Sequence, residues 1–170
     1  MKPDEAVVVA LGANLPGEYA SLEALLEAAL DQFAPEGMRI VARSSWWRSA
    51  AWPDPAGPEY RNGVAVVETG LGPVGTLQAL RRIEQAFGRD RGERNAPRTL
   101  DLDLVAYGRT VMDTPELALP HPRAHERRFV MGPLAEVLPE WRHPLLDQSA
   151  KRLAREAPIG ADAVSWETAE

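Results

Sequence analysis

The sequence predicts an α+β fold: six elements in the order β-α-β-β-α-β, closing into one antiparallel sheet flanked by helices. Three observations carry this expectation. Residues 22–30 and 73–87 repeat apolar side chains at helical spacing. Short runs rich in Val, Ala, Ile and Leu stand before, between and after them. Gly and Pro punctuate the boundaries.

The elements follow in order. Residues 6–11 are a six-residue apolar run, read as a buried strand and stopped by Gly12. Ser21 is a plausible N-cap for a helix with Leu22, Leu25, Leu26, Ala29 and Leu30 on one side and Glu23 and Glu27 on the other. That helix ends near Ala34 and Pro35. Residues 38–48 form a second strand, with Ile40, Ala42, Ser44 and Trp46 sharing a face. Residues 49–59 contain three prolines and a glycine, hence an eleven-residue loop. Residues 62–69 are a third strand, and 73–87 a helix with Pro73 near its first turn and Gly88 past its end. After a charged loop, residues 99–107 are a fourth strand, on which 109–113 pair back through Gly108. Helix signals at 129–138 and 147–155 complete the chain. Two split β-α-β units make a ferredoxin-like core with an extra C-terminal hairpin and helices. With no repeat or linker, residues 1–170 are expected to be one domain.

Composition excludes several classes. The apolar runs fall far short of the roughly 20 residues of a membrane span, and the N-terminal run is too short for a secretory signal. Cysteine is absent, so no disulfide framework, thiolate metal site or Cys nucleophile is possible; a cytoplasmic protein fits. Net charge is −6, which opposes a sequence-independent grip on nucleic acid. Within that acidic chain, residues 81–98 carry six arginines against three acids. Such a patch suits a small polyanion, or else is only a solvated helix face and loop.

The strongest chemical signal is residues 98–104, RTLDLDL. Strand alternation puts Leu100, Leu102 and Leu104 on one face and Asp101 and Asp103 on the other. Two like charges two residues apart repel, and Asp is depleted in strands. A hard divalent cation would offset this, since Mg²⁺ takes one or two carboxylates plus substrate phosphates. Arg94 and Arg98 would bring phosphate-binding forks near the same ions. The alternative is the wet face of a half-buried strand. Residues 70–75 fit G-x-G-x-x-G, but Pro73 removes a needed N–H, so a tight loop opening a helix is the better reading. His121 sits in the rigid turn Pro120-His121-Pro122-Arg123, and His125 and His143 read as satisfied surface or turn residues. Trp52, Tyr60 and Phe129 read as loop aromatics that, beside Asn62, could sandwich a flat heterocycle or could pin the loops as a small core.

These motifs together resemble the 6-hydroxymethyl-7,8-dihydropterin pyrophosphokinase family of folate biosynthesis. The resemblance spans about residues 6–145. It is most specific over Arg91 to Asp103, with support from Leu11-Gly12-Ala13-Asn14-Leu15 and Pro120-His121-Pro122-Arg123. It implies that Asp101 and Asp103 ligate two Mg²⁺ ions bridging the phosphates of ATP, the co-substrate. It implies that Arg91, Arg94, Arg98, His121 and Arg127 contact the triphosphate, and that Glu84 lies in the nucleotide site. By the same resemblance Tyr60 and Phe129 bracket the pterin, Asn62 hydrogen-bonds it, and Ser49 and Trp52 belong to the pocket's movable wall. The implied reaction moves the β,γ-diphosphate of ATP to the pterin hydroxymethyl group and releases AMP. Asn95 stands where many members have Trp, and residues beyond 146 carry no usable motif. A monomer acting on small molecules, with no nucleic-acid or membrane partner, is expected. The competing class is a ferredoxin-like nucleic-acid or nucleotide binding module without catalysis. That plan calls for aromatics on the central strands, and the fourth strand here shows Asp101 and Asp103 instead.

Overall fold

A computed structural model describes residues 2–50, 57–88 and 100–165. The expected core is present. Strand β1 (Val7–Ala13) is central and all seven of its residues are buried. It pairs antiparallel with β4 (Tyr60–Thr69) on one side and with β5 (Asp101–Tyr107) on the other. Helices α1 (Leu22–Asp31) and α2 (Pro73–Ala86) cover one face. Ser21 caps α1 as expected, its Oγ accepting from Ala24 N at 3.0 Å.

The residues of β1 divide between two cores. Val7, Val9, Leu11 and Ala13 pack toward α1 and α2. Val8 and Ala10 pack the other way, toward α3 (Arg128–Val137) and α4 (Ala150–Glu156), with Trp141 and Met131 among the deepest side chains. Helices on both faces explain why the strand reads as a continuous apolar run.

Three expectations need correction. The second strand is two strands, β2 (Met38–Arg43) and β3 (Trp47–Ser49), both antiparallel to β4. A bulge between Ile40 and Ala42 also breaks the alternation. Ile40 faces the α1/α2 core and Ala42 the α3/α4 core, so they do not share a face. Ser44 makes the break: its Oγ accepts from Val64 N at 2.9 Å, and its own N donates to Val64 O at 2.9 Å. Residues 109–113 do not pair back on β5. Instead β6 (Met112–Asp113) pairs with β7 (Ala118–Leu119) as a separate ribbon. Finally, β8 (Val164–Ser165) adds to the free side of β3, an element with no signal in the sequence.

The two adjacent tryptophans brace the sheet from opposite faces. A Cβ on Gly63 would stand 2.5 Å from the Trp46 ring, and one on Gly132 of α3 would stand 2.5 Å from Trp47. Neither ring has room for more than a glycine beneath it.

Candidate active site

Two rows of residues cross the sheet on its α3 face. In the first, Asn62 of β4 faces Gly12 of β1, which faces Asp101 of β5. In the second, Val64 faces Ala10, which faces Asp103. At roughly 4.8 Å per strand, Asn62 and Asp101 are about 10 Å apart along the backbone row. Gly12 keeps the row open, because a Cβ there would lie 2.8 Å from Asn62 Oδ1.

A cavity of about 150 Å³ opens over these rows. Ser49, Ala50, Tyr60, Asn62 and Phe129 line it, as do Asp101, Asp103 and Arg127, with Ala10, Leu11, Gly12 and Val130 as its apolar floor. Asn62 is buried, and its Nδ2 donates to Ser49 Oγ at 3.1 Å, which fixes the rotation of the amide. Leu100, Leu102 and Leu104 are buried on the opposite face, as the alternation required. Asp101 and Asp103 are half-buried on the cavity side. Two hard oxygen donors on one face, both open to a cavity, fit a hard divalent cation.

Arg127 immediately precedes α3, and its buried Nε has no hydrogen-bond partner among the described residues. A buried unsatisfied guanidinium nitrogen is costly unless an anionic ligand completes it. His121 follows β7 in a turn sewn to β5, with its N donating to Val105 O at 2.8 Å. Its Nδ1 accepts from Arg123 N and Ala124 N, both at 3.1 Å. The neutral ring therefore carries its proton on Nε2. Burial holds the His121 pKa below its ordinary value; Asp103 opposes that shift, Arg127 and Arg123 add to it, and Asp101 opposes it weakly.

Seven of the predicted residues line one cavity: Ser49, Tyr60, Asn62, Asp101, Asp103, Arg127 and Phe129. Tyr60 and Phe129, expected as loop aromatics, sit on regular elements, Tyr60 as the first residue of β4 and Phe129 in the first turn of α3. Glu84 is not on the cavity wall. It is buried on α2, and its Oε2 accepts from Leu102 N at 2.9 Å, supporting β5 from the sheet's edge. Trp52, Arg91, Arg94, Asn95 and Arg98 lie outside the described residues, as do most of the two long loops. Residues 70–75 open α2, with Gly72 as its N-cap, in keeping with a helix start. Gly12 is a site residue that sequence reasoning misses. Its signal is a glycine ending an apolar strand, a place where backbone must be approached closely.

The comparisons with known proteins point to one family. A family model described as 7,8-dihydro-6-hydroxymethylpterin-pyrophosphokinase matches residues 8–139. A Synechocystis 2-amino-4-hydroxy-6-hydroxymethyldihydropteridine pyrophosphokinase is 43% identical over 138 residues, covering 81% of this chain and 68% of its own. The Pseudomonas aeruginosa protein of the same name is 42% identical over 146 residues, covering 82% and 85%. Among solved structures, wild-type Plasmodium falciparum HPPK-DHPS with pteroate matches with a TM-score of 0.69 at 12% identity. It covers 89% of this chain and 42% of that longer one, and this likeness concerns the fold. The matched stretch contains every cavity-lining residue, and on the strength of both sequence matches the chain belongs to the 7,8-dihydro-6-hydroxymethylpterin-pyrophosphokinase family.

Proposed function

We propose that this chain transfers the β,γ-diphosphate of ATP to the hydroxymethyl oxygen of 6-hydroxymethyl-7,8-dihydropterin and releases AMP. The observation that carries the reading is one cavity holding both required halves. An aromatic and amide half (Tyr60, Phe129, Asn62) suits a flat heterocycle, and a carboxylate and guanidinium half (Asp101, Asp103, Arg127) suits a polyphosphate.

In this reading Tyr60 and Phe129 stack on the pterin, while Asn62, locked by Ser49, reads its hydrogen-bonding edge. The strand spacing of about 10 Å between Asn62 and Asp101 then sets the hydroxymethyl arm toward the carboxylates. Asp101 and Asp103 would hold Mg²⁺, two ions in all. When bound, the metal neutralises charge on the phosphate oxygens. Arg127 and the Nε2–H of His121 donate to phosphate oxygens from the protein side, and Arg91, Arg94 and Arg98 extend that cradle. The pterin hydroxyl oxygen attacks the β-phosphorus, the bond from that phosphorus to the α,β-bridging oxygen breaks, and the hydroxyl proton leaves to solvent. Positioning and charge neutralisation supply most of the catalysis. Glu84 serves this site from behind, by holding the strand that bears both aspartates.

The chain is read as a cytoplasmic monomer acting on two small molecules, without nucleic-acid or membrane partners. Its net charge of −6 opposes a sequence-independent grip on nucleic acid, and no described helix is long and apolar enough to cross a membrane. Elution at about twice 18.6 kDa would overturn the monomer.

The decisive test is Asp103→Asn, which keeps shape and removes charge. AMP formation with saturating Mg²⁺–ATP and pterin should fall by several orders of magnitude. Unfolding of the ligand-free protein should be unchanged or slightly later, because a like-charge repulsion is relieved. A variant that unfolds much earlier yet turns over normally would show that the carboxylate serves the fold.

A further inference from the structure

We infer that residues 159–165 position the pterin end of the cavity, with Gly160 and Asp162 as positioning residues. This rests on the reading that the cavity takes the pterin. The segment lies beyond the stretch matched by the family model, which ends at residue 139.

The segment grips both walls of the cavity. On one wall it takes the place of a helix cap. The first N–H groups of α3 have no partner within the helix, and no side chain caps them. Ile159 O accepts from Arg128 N at 2.8 Å, and Ile159 N donates to Glu126 O at 3.0 Å. Ala163 O then accepts from Arg128 Nε at 3.0 Å. These bonds fix the turn of α3 that carries Phe129. Gly160 lies directly against that ring: a Cβ there would stand 2.6 Å from Phe129 Cδ1 and 3.2 Å from Cε1. Its φ is +76°, so glycine is favoured twice over, by backbone conformation and by contact.

On the other wall, Asp162 Oδ2 accepts from Ala50 N at 2.7 Å. Ala50 and Ser49 both line the cavity, and Ser49 Oγ is the partner of Asn62. Next along the chain, Val164 and Ser165 pair with Arg48 and Trp47, extending the sheet beside β3. One short strap therefore sets the ring of Phe129 and the backbone from which Ser49 holds Asn62. Toward the phosphate half the strap reaches the backbone of Arg127, through the bridge from Ile159, and it makes no described hydrogen bond to β5, the strand of Asp101 and Asp103.

The test is steady-state kinetics with each substrate varied. Gly160→Ala pushes the Phe129 ring out of place. It should raise KM for the hydroxymethyl-dihydropterin about tenfold, leaving KM for ATP unchanged and kcat within about threefold. Asp162→Ala, at an exposed position that should not endanger folding, should raise the pterin KM about threefold. Asp162→Asn should restore it, because its amide oxygen can accept the same N–H. In a Phe129→Leu background, Gly160→Ala should add nothing, since it acts through the ring already removed. Phe129→Leu also separates the two failures. If it leaves the pterin KM unchanged, the pocket assignment is wrong. If it raises KM while Gly160→Ala and Asp162→Ala do not, the pocket stands and the strap inference falls. Equal losses toward ATP and pterin in the two strap variants would likewise overturn it, as a general effect on the fold.

Discussion

Two His-Pro turns in this chain share one local geometry and meet opposite surroundings. His121 Nδ1 accepts the N–H groups of Arg123 and Ala124, and His143 Nδ1 accepts those of Leu145 and Leu146, all four bonds at 3.1 Å. In each, proline follows the histidine and sets the turn, and the imidazole acts as Asn or Asp does in an Asx-turn. Both turns therefore put the proton of the neutral ring on Nε2. What differs is the neighbourhood. His121 feels Asp103 and Asp101 as well as Arg127 and Arg123. His143 is buried against the edges of Trp141 and His125, ring centroids 5.9 and 5.3 Å away. Burial, with a smaller push from His125, takes its pKa down to about 4. The turn dictates the tautomer, and the neighbours decide whether the remaining N–H serves a ligand or the core.

Exchanging each histidine for a residue without the ring breaks this comparison most sharply. Asn can accept the same amide N–H groups through Oδ1 but does not reproduce the ring's far N–H. His121→Asn should keep thermal stability within about 1 kcal/mol and lower AMP formation roughly 10- to 100-fold, by losing one donor to developing phosphate charge. An unchanged rate would remove His121 from the phosphate site. The opposite pattern is expected at the other turn. His143→Ala should cost about 2–3 kcal/mol, from two amides left without a partner and a void beside Trp141, while turnover per folded molecule stays at the wild-type value. Urea unfolding combined with active-site titration checks both halves. A third change concerns the open row between the halves of the site. Gly12→Ala should weaken pterin binding about tenfold by displacing Asn62, with ATP binding little altered; calorimetry with each ligand separately measures it.

The two turns also show what the sequence could and could not reveal. Both His-Pro pairs are visible in it, and only the one inside a longer motif could be connected with a site. The strand bearing Asp101 and Asp103 was legible because leucines at period two fix one face as buried, and acids repeated on the other face repel unless a cation or solvent takes up their charge. The helices were legible from Ser21, Pro73 and the apolar stripes. The break between β2 and β3 was not, because a serine hydroxyl substitutes for strand pairing at Ser44 and a bulge at Val41 shifts the register without any change in composition. The strap at 159–165 was invisible for a related reason. Its role lies in hydrogen bonds to Glu126, Arg128 and Ala50, distant in sequence, and nothing in a Pro- and Gly-containing tail announces such partners. Glu84, which only the resemblance assigns to the nucleotide site, holds the edge of β5 and is not on the cavity wall.

The smallest and most specific effect is expected in the pH dependence of stability. His143 has a folded pKa of about 4, below the roughly 6.5 of an unfolded histidine. Between those values the unfolded chain binds a proton that the folded chain refuses. The unfolded state then holds more protons, so stability rises with pH across this window and is lost as pH falls through it. Above about pH 7 neither state is protonated at this site and its contribution is flat. Other groups titrate nearby. Glu27 and Asp147 have lowered pKa values through Arg43 and Arg142, and weaken the fold at still lower pH, while His121 adds a slope of the same sign as His143. The informative quantity is therefore the difference between wild type and His143→Asn, in which those contributions cancel. Unfolding free energies measured at pH 7 and pH 5 should show the wild type losing more stability than the variant, with a difference in slope of less than one proton. Parallel curves would mean that the buried ring accepts a proton in the folded state, and that its turn differs from the His121 turn less than the surroundings imply.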